Sequence, residues 1–190
     1  DVFDVKADAW AVLEQLGAPM DKLRVTADAP NWYHPGRSGV IRLGPKNALA
    51  TFGEVHPAIL GALDMRGPVM AFEIVLDAIP LPKARSSASR GTLRASDLQP
   101  VSRDFAFIAD SGIAADQVLR AAAGAAPDLI TGVTLFDLFE DERIGAGRKS
   151  LAISVTLQPR EKTLTAKEID AVAEAIIAAV KKATGGELRG

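Results

Sequence analysis

The side chains best suited to acid–base or metal chemistry are the two histidines, His34 and His56, together with the nearby Glu54. Imidazole and carboxylate groups can jointly bind a transition metal. The histidines are about twenty residues apart, however, and lack the i,i+4 spacing of a helical metal motif. General-base catalysis would also need a nucleophile within hydrogen-bond range, and no sequence motif supplies one. We therefore expect structural or interface roles for both histidines, with no catalytic residue and no metal site.

A glycine-containing segment, Gly145–Ser150, has some similarity to a phosphate-binding loop. Two requirements of that loop are not met. Arg148 separates the last glycine from Lys149, and the residues that follow alternate like a strand instead of forming a helix. We interpret the segment as a glycine hairpin turn.

Five basic side chains are candidates for contacts with nucleic-acid phosphates, because they fall in loops or near the ends of predicted strands. Two flank the glycine turn, two follow the far end of the next strand, and one precedes the first strand of the second half. They are Arg148, Lys149, Arg160, Lys162 and Arg103. The alternative is surface charge neutralised by the carboxylates of Asp141, Glu142 and Glu161, and the sequence leaves both interpretations open.

The overall composition indicates a globular chain without the excess positive charge of a protein that binds nucleic acid by bulk charge. The 190 residues are 48% hydrophobic, and 22 basic residues against 24 acidic ones give a net charge of −2. Such nucleic-acid-binding proteins are strongly basic, so any RNA contact must come from a local patch. The absence of cysteine excludes disulfides, iron–sulfur clusters and thiolate zinc sites. Because no apolar run is long enough for a membrane span and no signal peptide opens the chain, we expect a cytoplasmic protein without membrane contacts.

Hydrophobic periodicity in the second half predicts the element order β-α-β-β-α-β. The predicted elements are strand 105–108, helix 114–124, strands 133–139 and 151–157, a helix from the capping box at Thr165 to Gly185, and a short strand at 187–189. This order is typical of a ferredoxin-like α+β sandwich, in which both helices cover one face of a four-stranded antiparallel sheet. Open faces of such sheets often bind single-stranded RNA.

The phenylalanines of this half bear on how RNA could be bound. Open RNA-binding sheets usually carry stacking aromatics on their central strands, and the strand at 151–157 has none. We expect the four phenylalanines to belong mostly to the core and base stacking to be limited. They are Phe105, Phe107, Phe136 and Phe139.

The first half is predicted to be an antiparallel sheet with little helical cover. Its predicted elements are a helix from Lys6 to Leu16, strands at 23–26, 39–43, 49–55 and 69–76, and a short helix at 57–63. Residues 83–98 are predicted to be a linker, because two prolines introduce a serine-rich stretch with four basic and no acidic residues between Lys83 and Arg94. The linker is either simply solvated or follows RNA. The predicted domains are therefore 1–82 and 99–190.

Both halves resemble consecutive parts of one family, the beta subunit of bacterial phenylalanyl-tRNA synthetase. In the second half the resemblance rests on Pro100, Arg103–Phe107, Val133–Phe139, Ile144–Gly145, Arg148–Ala152, Thr163–Thr165 and Leu188–Arg189. In the first half it rests on Asp4–Lys6, His34–Ser38, Phe52–Pro57 and Ala71–Glu73. The resemblance implies that residues 99–190 are a ferredoxin-fold anticodon-binding domain. It also implies that residues 1–82 are the antiparallel-sheet remnant of a class II synthetase-like module, and that the chain is a fragment of a longer polypeptide.

The resemblance further implies partners and cofactors. The family's holoenzyme is an α2β2 assembly that attaches phenylalanine to tRNA(Phe) with ATP and Mg²⁺, and its reaction centre lies in the alpha subunit. The expected partners are thus tRNA(Phe) and the alpha subunit, with no catalytic residue and no cofactor in this fragment. Two alternatives stay open. One is a ligand-sensing regulatory module, since domains of this fold also bind small metabolites. The other is a purely structural or interface fragment.

Overall fold

The computed structural model describes residues 1–81 and 96–189. These residues form two compact units, one on each side of residues 82–95. Each unit has its own four-stranded antiparallel sheet and its own hydrophobic core. Most of the predicted linker, residues 83–95, lies outside the described residues.

The first unit is a sheet of order β1-β2-β3-β4 with one long helix packed against one face. The predicted strands are present, but β2 begins six residues earlier than predicted because its pairing with β3 continues to Tyr33, opposite Val55. The elements are α1 Val2–Gln15, β1 Leu23–Thr26, β2 Tyr33–Leu43, β3 Asn47–Val55, α2 Pro57–Ala62 and β4 Met70–Ile74.

Helix α1 begins four residues before its predicted start at Lys6. The carboxylate of Asp1 accepts hydrogen bonds from two backbone N–H groups of the first turn, at 2.7 and 3.1 Å, and so caps the helix. Leu16, the last residue of the predicted helix, is exposed. The residues that pack on the sheet follow i,i+4 spacing and are Val5, Ala9 and Leu13.

The second unit has the predicted βαββαβ order, with its four strands arranged as β6-β7-β5-β8. This topology confirms the α+β class and the ferredoxin-like sandwich. The strands are longer than predicted, because the β5–β7 ladder runs without interruption through ten residue pairs. The elements are β5 Val101–Asp110, α3 Ala115–Ala123, β6 Ile130–Phe139, β7 Arg148–Leu157, α4 Ala166–Thr184 and β8 Glu187–Leu188.

Both helices of this unit pack against the same face of the sheet. Alternate residues of β5 and β7, beginning with Phe105 and Leu151, form one buried cluster with Val118 of α3 and with Ile176 and Val180 of α4. In an antiparallel pair, directly opposed residues point to the same face. The intervening residues of β5 and β7 therefore lie on the face that neither helix covers, which we call the open face.

The glycine segment between β6 and β7 is a turn, as predicted. Gly145 and Gly147 have φ angles of 102° and 72°, which side chains with a Cβ atom rarely adopt. The chain then enters β7 directly at Arg148. The segment thus leads into a strand and not into a helix, in contrast to a phosphate-binding loop.

Candidate nucleic-acid interface

The centre of the open face is small and polar. On β7 it presents Ala152, Ser154 and Thr156, which are opposed on β5 by Ala106, Asp104 and Ser102. Small side chains leave the backbone of the sheet accessible to a flat ligand. Such a face suits nucleobases better than it suits a folded protein surface, which would need an apolar core.

An aromatic side chain lies at one end of this face, contrary to prediction. Val133 and Leu135 of β6 face the helices, and simple alternation would place Phe139 beside them. The register shifts between Leu135 and Asp137, so one extra residue is accommodated there. Phe139 consequently pairs with Ser150, on the open face. The expectation that Phe139 belongs to the core was therefore wrong.

The residue at the bulge, Phe136, is also outside the core. Its side chain is 57% exposed, whereas Phe105 and Phe107 are buried as predicted. A bulge leaves its extra residue without a ladder partner, so Phe136 does not pack in the core between the sheet and the helices. The second unit thus presents two aromatic side chains at the end of β6.

Arg189 joins the aromatic end of the open face from the opposite edge of the sheet. Its backbone N–H donates to the carbonyl oxygen of Ala106 at 2.7 Å, which continues the short β8 pairing. Its guanidinium carbon lies 5.8 Å from the centre of the Phe139 ring, within the range of a cation–π contact. Ser150, which pairs with Phe139 on β6 and with Ile108 on β5, is only 3% exposed. Phe139 and Arg189 therefore reach toward each other across the two central strands.

The open face is not positively charged overall. The strand register places Asp104, Asp110 and Asp137 on it, with Arg148 opposite Asp110. Carboxylates repel phosphates but accept hydrogen bonds from the amino groups of bases. Phosphate contacts would therefore have to come from cations at the rim of the face.

Arg148 and Lys149 open β7 at the same end of the sheet as Phe139. Arg148 lies on the open face, whereas Lys149 pairs with Ala109 on the helix-covered face and donates from Nζ to the carbonyl oxygen of Ser111 at 2.7 Å. Asp141, one of the carboxylates considered as a neutralising partner, instead binds Arg143 with an Nε–Oδ1 distance of 2.8 Å. The structure therefore brings Arg148 to the aromatic end of the open face, whereas Lys149 lies at the same end of β7 on the other face.

Arg160 and Lys162 lie beyond the opposite end of β7, which is ten residues and roughly 30 Å long. Lys162 is already engaged, since its Nζ lies 2.8 Å from Oε1 of Glu168. That hydrogen bond raises the pKa of Lys162, and together with the hydrogen bonds from Thr165 it lowers the pKa of Glu168 to about 2. A depression of about 320 Å³ beside both cations is also lined by Asp128, Glu161 and Glu168. These surroundings make this end less suited to phosphate than the aromatic end.

Arg103 does not precede the first strand, as predicted, but lies within β5. It pairs with Val155, so its side chain is on the helix-covered side. There its Nη2 lies 3.8 Å from Oδ1 of Asp170 on α4. The structure therefore separates Arg103 from Arg148, which lies on the open face at the other end of the two strands.

The histidines of the first unit occupy turn and cap positions. Nδ1 of His34 accepts from the N–H of Gly36 at 3.1 Å, and Nδ1 of His56 accepts from the N–H of Ala58 at 3.2 Å at the start of α2. Glu54 is 7% exposed and forms two contacts with Arg37, at 2.7 and 3.1 Å.

In the described part of the chain, no three His, Cys, Asp or Glu residues are grouped so that they could hold a metal ion. Among the helices within 1–81 and 96–189, none combines the length and the apolar character needed to cross a membrane.

Comparison with known proteins gives both units the same assignment. Residues 96–189 match the family model of the ferredoxin-fold anticodon binding domain, and residues 1–76 match that of the phenylalanyl tRNA synthetase beta chain CLM domain. The phenylalanine–tRNA ligase beta subunit of Rhodospirillum rubrum is 56% identical over 189 residues, and that of Paramagnetospirillum magneticum is 54% identical over 190. The chain belongs to the phenylalanyl-tRNA synthetase beta-chain family.

The match covers all of this family member but only part of its relatives. Each comparison covers 100% of this chain and 24% of the relative, and the same holds for the Bradyrhizobium diazoefficiens beta subunit at 53% identity. The chain therefore spans about a quarter of the length of the curated relatives it matches.

In this synthetase family member, sequence reasoning missed Phe136, Phe139 and Arg189 as candidate site residues. No local sequence pattern marks the bulge that places Phe139 on the open face. Arg189 is fifty residues from Phe139 in the chain, and only the strand order brings them together. The one available signal was the prediction of a strand at 187–189, which would have placed Arg189 at a sheet edge.

Proposed function

We propose that this chain is the tRNA-binding and structural portion of a phenylalanine–tRNA ligase beta subunit. Residues 96–189 would bind tRNA(Phe) near its anticodon through the open face. The proposal is carried by the match of this unit to an anticodon-binding domain, together with a sheet face that neither of its helices covers. The relatives' name supports an aminoacylating assembly.

The geometry supports different roles for the two parts of this surface: the open face would contact bases, and the cations at its rim would contact phosphates. Bases would lie over the small residues of β5 and β7 and stack on Phe139, because every base has a π-face that an aromatic ring can contact. Asp137 and its neighbouring carboxylates would accept hydrogen bonds from base amino groups. Arg148 would contact the phosphates at the aromatic end, and Lys149, which lies on the other face at the same strand end, would contribute less. Arg160 and Lys162 would contribute less, since they lie among carboxylates.

We propose that residues 1–81 support assembly with the alpha subunit, and that this chain carries no catalytic centre. ATP and Mg²⁺ would then be bound elsewhere in the assembly. In support, Glu54, the carboxylate near the two histidines in the sequence, is bound by Arg37. We expect the isolated chain to show no phenylalanine-dependent ATP–pyrophosphate exchange, whereas the complete enzyme would show it. Exchange by the isolated chain would contradict the proposal.

The RNA-binding proposal can be tested by comparing two double variants in the complete enzyme and in the 190-residue chain. Arg148→Ala/Lys149→Ala should weaken tRNA(Phe) binding and reduce the slope of log affinity against log salt by about 1 to 2, the value for one or two lost phosphate contacts. Arg160→Ala/Lys162→Ala should have a smaller effect. Fluorescence anisotropy at several salt concentrations would measure both.

A matched control removes the same charge from the helix side of the second unit. Arg120 and Lys182 lie on α3 and α4, so Arg120→Ala/Lys182→Ala should leave the salt slope unchanged. Equal losses in all three double variants would indicate a general charge effect and would contradict binding at the open face.

A further inference from the structure

The outer edge of β6 lacks the features that usually keep a sheet edge from pairing with another chain. β6 is an outer strand of ten residues, and residues 130–136 include no charge and no proline. The other outer strands in the described residues are two to five residues long, and each carries a charge: Arg24 in β1, Glu73 in β4 and Glu187 in β8. Short length and charge protect an edge whose backbone groups have no partner strand. The β6 edge is therefore open to pairing.

An apolar groove runs beside this edge, on the helix side of the sheet. It contains a depression of about 250 Å³ between α3 and β6. The lining residues are Leu119, Arg120 and Ala123 of α3 and residues 130–133 of β6. Further along β6, Leu135 also packs toward the helices but is only half-buried. When an extended peptide adds to a sheet edge, main-chain hydrogen bonds supply affinity and pockets for alternate side chains supply specificity. This groove offers both.

The edge suits a flexible segment better than it suits a second copy of this chain. The pairing of β6 with β7 shifts between Ile130 and Gly132 and again between Leu135 and Asp137, so the regular part of the edge is residues 132–135. In a two-fold antiparallel pair of copies, the irregularity at one end of β6 would face the irregularity at the other end of the partner strand. A flexible segment has no fixed irregularity and can follow the edge.

We propose that the outer edge of β6 and the groove beside it bind an extended segment of a partner protein, which adds a fifth strand to the sheet along residues 132–135. One apolar side chain of the segment fills the depression beside Leu119 and Ala123. A carboxylate of the segment faces Arg120, whose side chain is half exposed at the rim. The inference goes beyond the proposed function, because the groove lies on the helix side and not on the open face.

The probe for this site is a displayed library of random heptapeptides, selected on the 190-residue chain. Selected peptides should alternate apolar residues and carry an aspartate or a glutamate, and fluorescence anisotropy would measure their affinity. The absence of any enriched peptide of this kind would overturn the proposal.

Backbone N-methylation of a selected peptide tests whether it binds as a strand. Methylating every second amide removes the donors along one edge of the peptide and keeps all its side chains. One of the two alternate sets should lower the affinity by about tenfold or more, the effect of losing two backbone hydrogen bonds, and the other set should change it little. Equal effects of the two sets would contradict strand addition.

Variants of α3 test the groove. Ala123→Leu places a larger side chain at an exposed helix position that lines the depression, so it should weaken peptide binding by about tenfold, the effect of displacing one apolar side chain. Ala175→Leu makes the same change at an exposed position of α4 and should bind as the unmodified chain does. Arg120→Ala should remove the preference for acidic peptides. Equal affinity of Ala123→Leu and the unmodified chain would overturn the assignment of the groove.

Two further measurements separate this inference from its alternatives. Light scattering should show a monomeric 190-residue chain, whereas a dimer that Ala123→Leu disrupts would make a second copy the occupant and overturn the proposal. Ala123→Leu should bind tRNA(Phe) as the unmodified chain does, so a failure of peptide binding would leave the RNA-binding proposal standing. Weaker tRNA(Phe) binding by this variant would place the groove in the RNA surface and contradict a separate protein site.

Discussion

At the scale of single residues, the residue type determines the charge of a side chain but does not predict which groups that side chain contacts in the folded structure. Arg103, Arg148 and Lys162 were grouped as equivalent cations from the sequence. In the structure the first contacts Asp170, the second lies on the open face, and the third is bound to Glu168. Their availability to RNA therefore differs, because it depends on groups that are distant in the chain.

Position 53 of the first unit requires glycine for two reasons: its backbone conformation and the lack of space for a Cβ atom. Gly53 has a φ of 151°, and a Cβ atom there would lie 2.5 Å from Cβ of Ser38 on the neighbouring strand. Backbone strain and steric overlap would both act, so Gly53→Ala should lower the free energy of unfolding of the first unit by about 1 to 3 kcal/mol. Urea unfolding followed by tryptophan fluorescence would measure the change, since Trp10 and Trp32 are the only tryptophans and both lie in the first unit.

A matched glycine provides the control. Gly61 lies in α2 with no atom within 4 Å of its hypothetical Cβ, so Gly61→Ala should be neutral or slightly stabilising. If the two variants lower the free energy of unfolding equally, steric overlap at position 53 is not the cause of the loss.

At the scale of elements, a local irregularity such as a β-bulge decides which face of the sheet a residue occupies. Hydrophobic periodicity alone does not predict it. The helices and the alternating strand β7 follow their sequence patterns, whereas the β6 bulge between Leu135 and Asp137 reverses the facing of every residue after it. The aromatic end of the open face exists because of that single inserted residue. An element can therefore be predicted in type and position while its functional face is predicted wrongly.

Helix α4 supplies a pH-dependent prediction. Its capping box joins Thr165 to Glu168, and Lys162 contacts the same carboxylate. The hydrogen bond from Lys162 is the main reason that the pKa of Glu168 falls from 4.5 to about 2, followed by those from Thr165. A lowered pKa means that the ionised carboxylate stabilises the fold above about pH 4.5, and that this contribution is lost as the pH falls toward 2.

The variant Glu168→Gln should therefore be less stable than the unmodified chain at pH 7, with a difference that shrinks below pH 4.5. A glutamine can keep the backbone hydrogen bond of the box but not the ion pair. Urea unfolding monitored by far-ultraviolet circular dichroism between pH 7 and pH 3 would test this. Glu174→Gln, at an exposed position of the same helix, should not change stability at either pH. A difference for Glu168→Gln that is equal at pH 7 and pH 3 would contradict the assignment.

At the scale of the whole molecule, the described residues contain two separate hydrophobic cores. The core of the first unit joins α1 to its sheet, and the core of the second joins α3 and α4 to theirs. Each core is made only of residues from its own unit, which supports independent folding.

We expect fragments 1–81 and 96–190 to fold separately. Their amide NMR spectra, added together, should reproduce most of the spectrum of the 190-residue chain, with differences confined to residues near the division. Collapse of the amide dispersion of either fragment would show that its core depends on the other part of the chain.

The sequence by itself determined the type and order of the helices and strands and the small polar character of β7. These features depend on local periodicity, caps and turn residues, which act over a few neighbouring positions. Only the tertiary structure decided that Phe139 faces outward, that Arg189 reaches it, and that Arg103 faces α4. Those outcomes depend on strand register and strand order, because hydrogen bonding between distant segments fixes which side chains share a face.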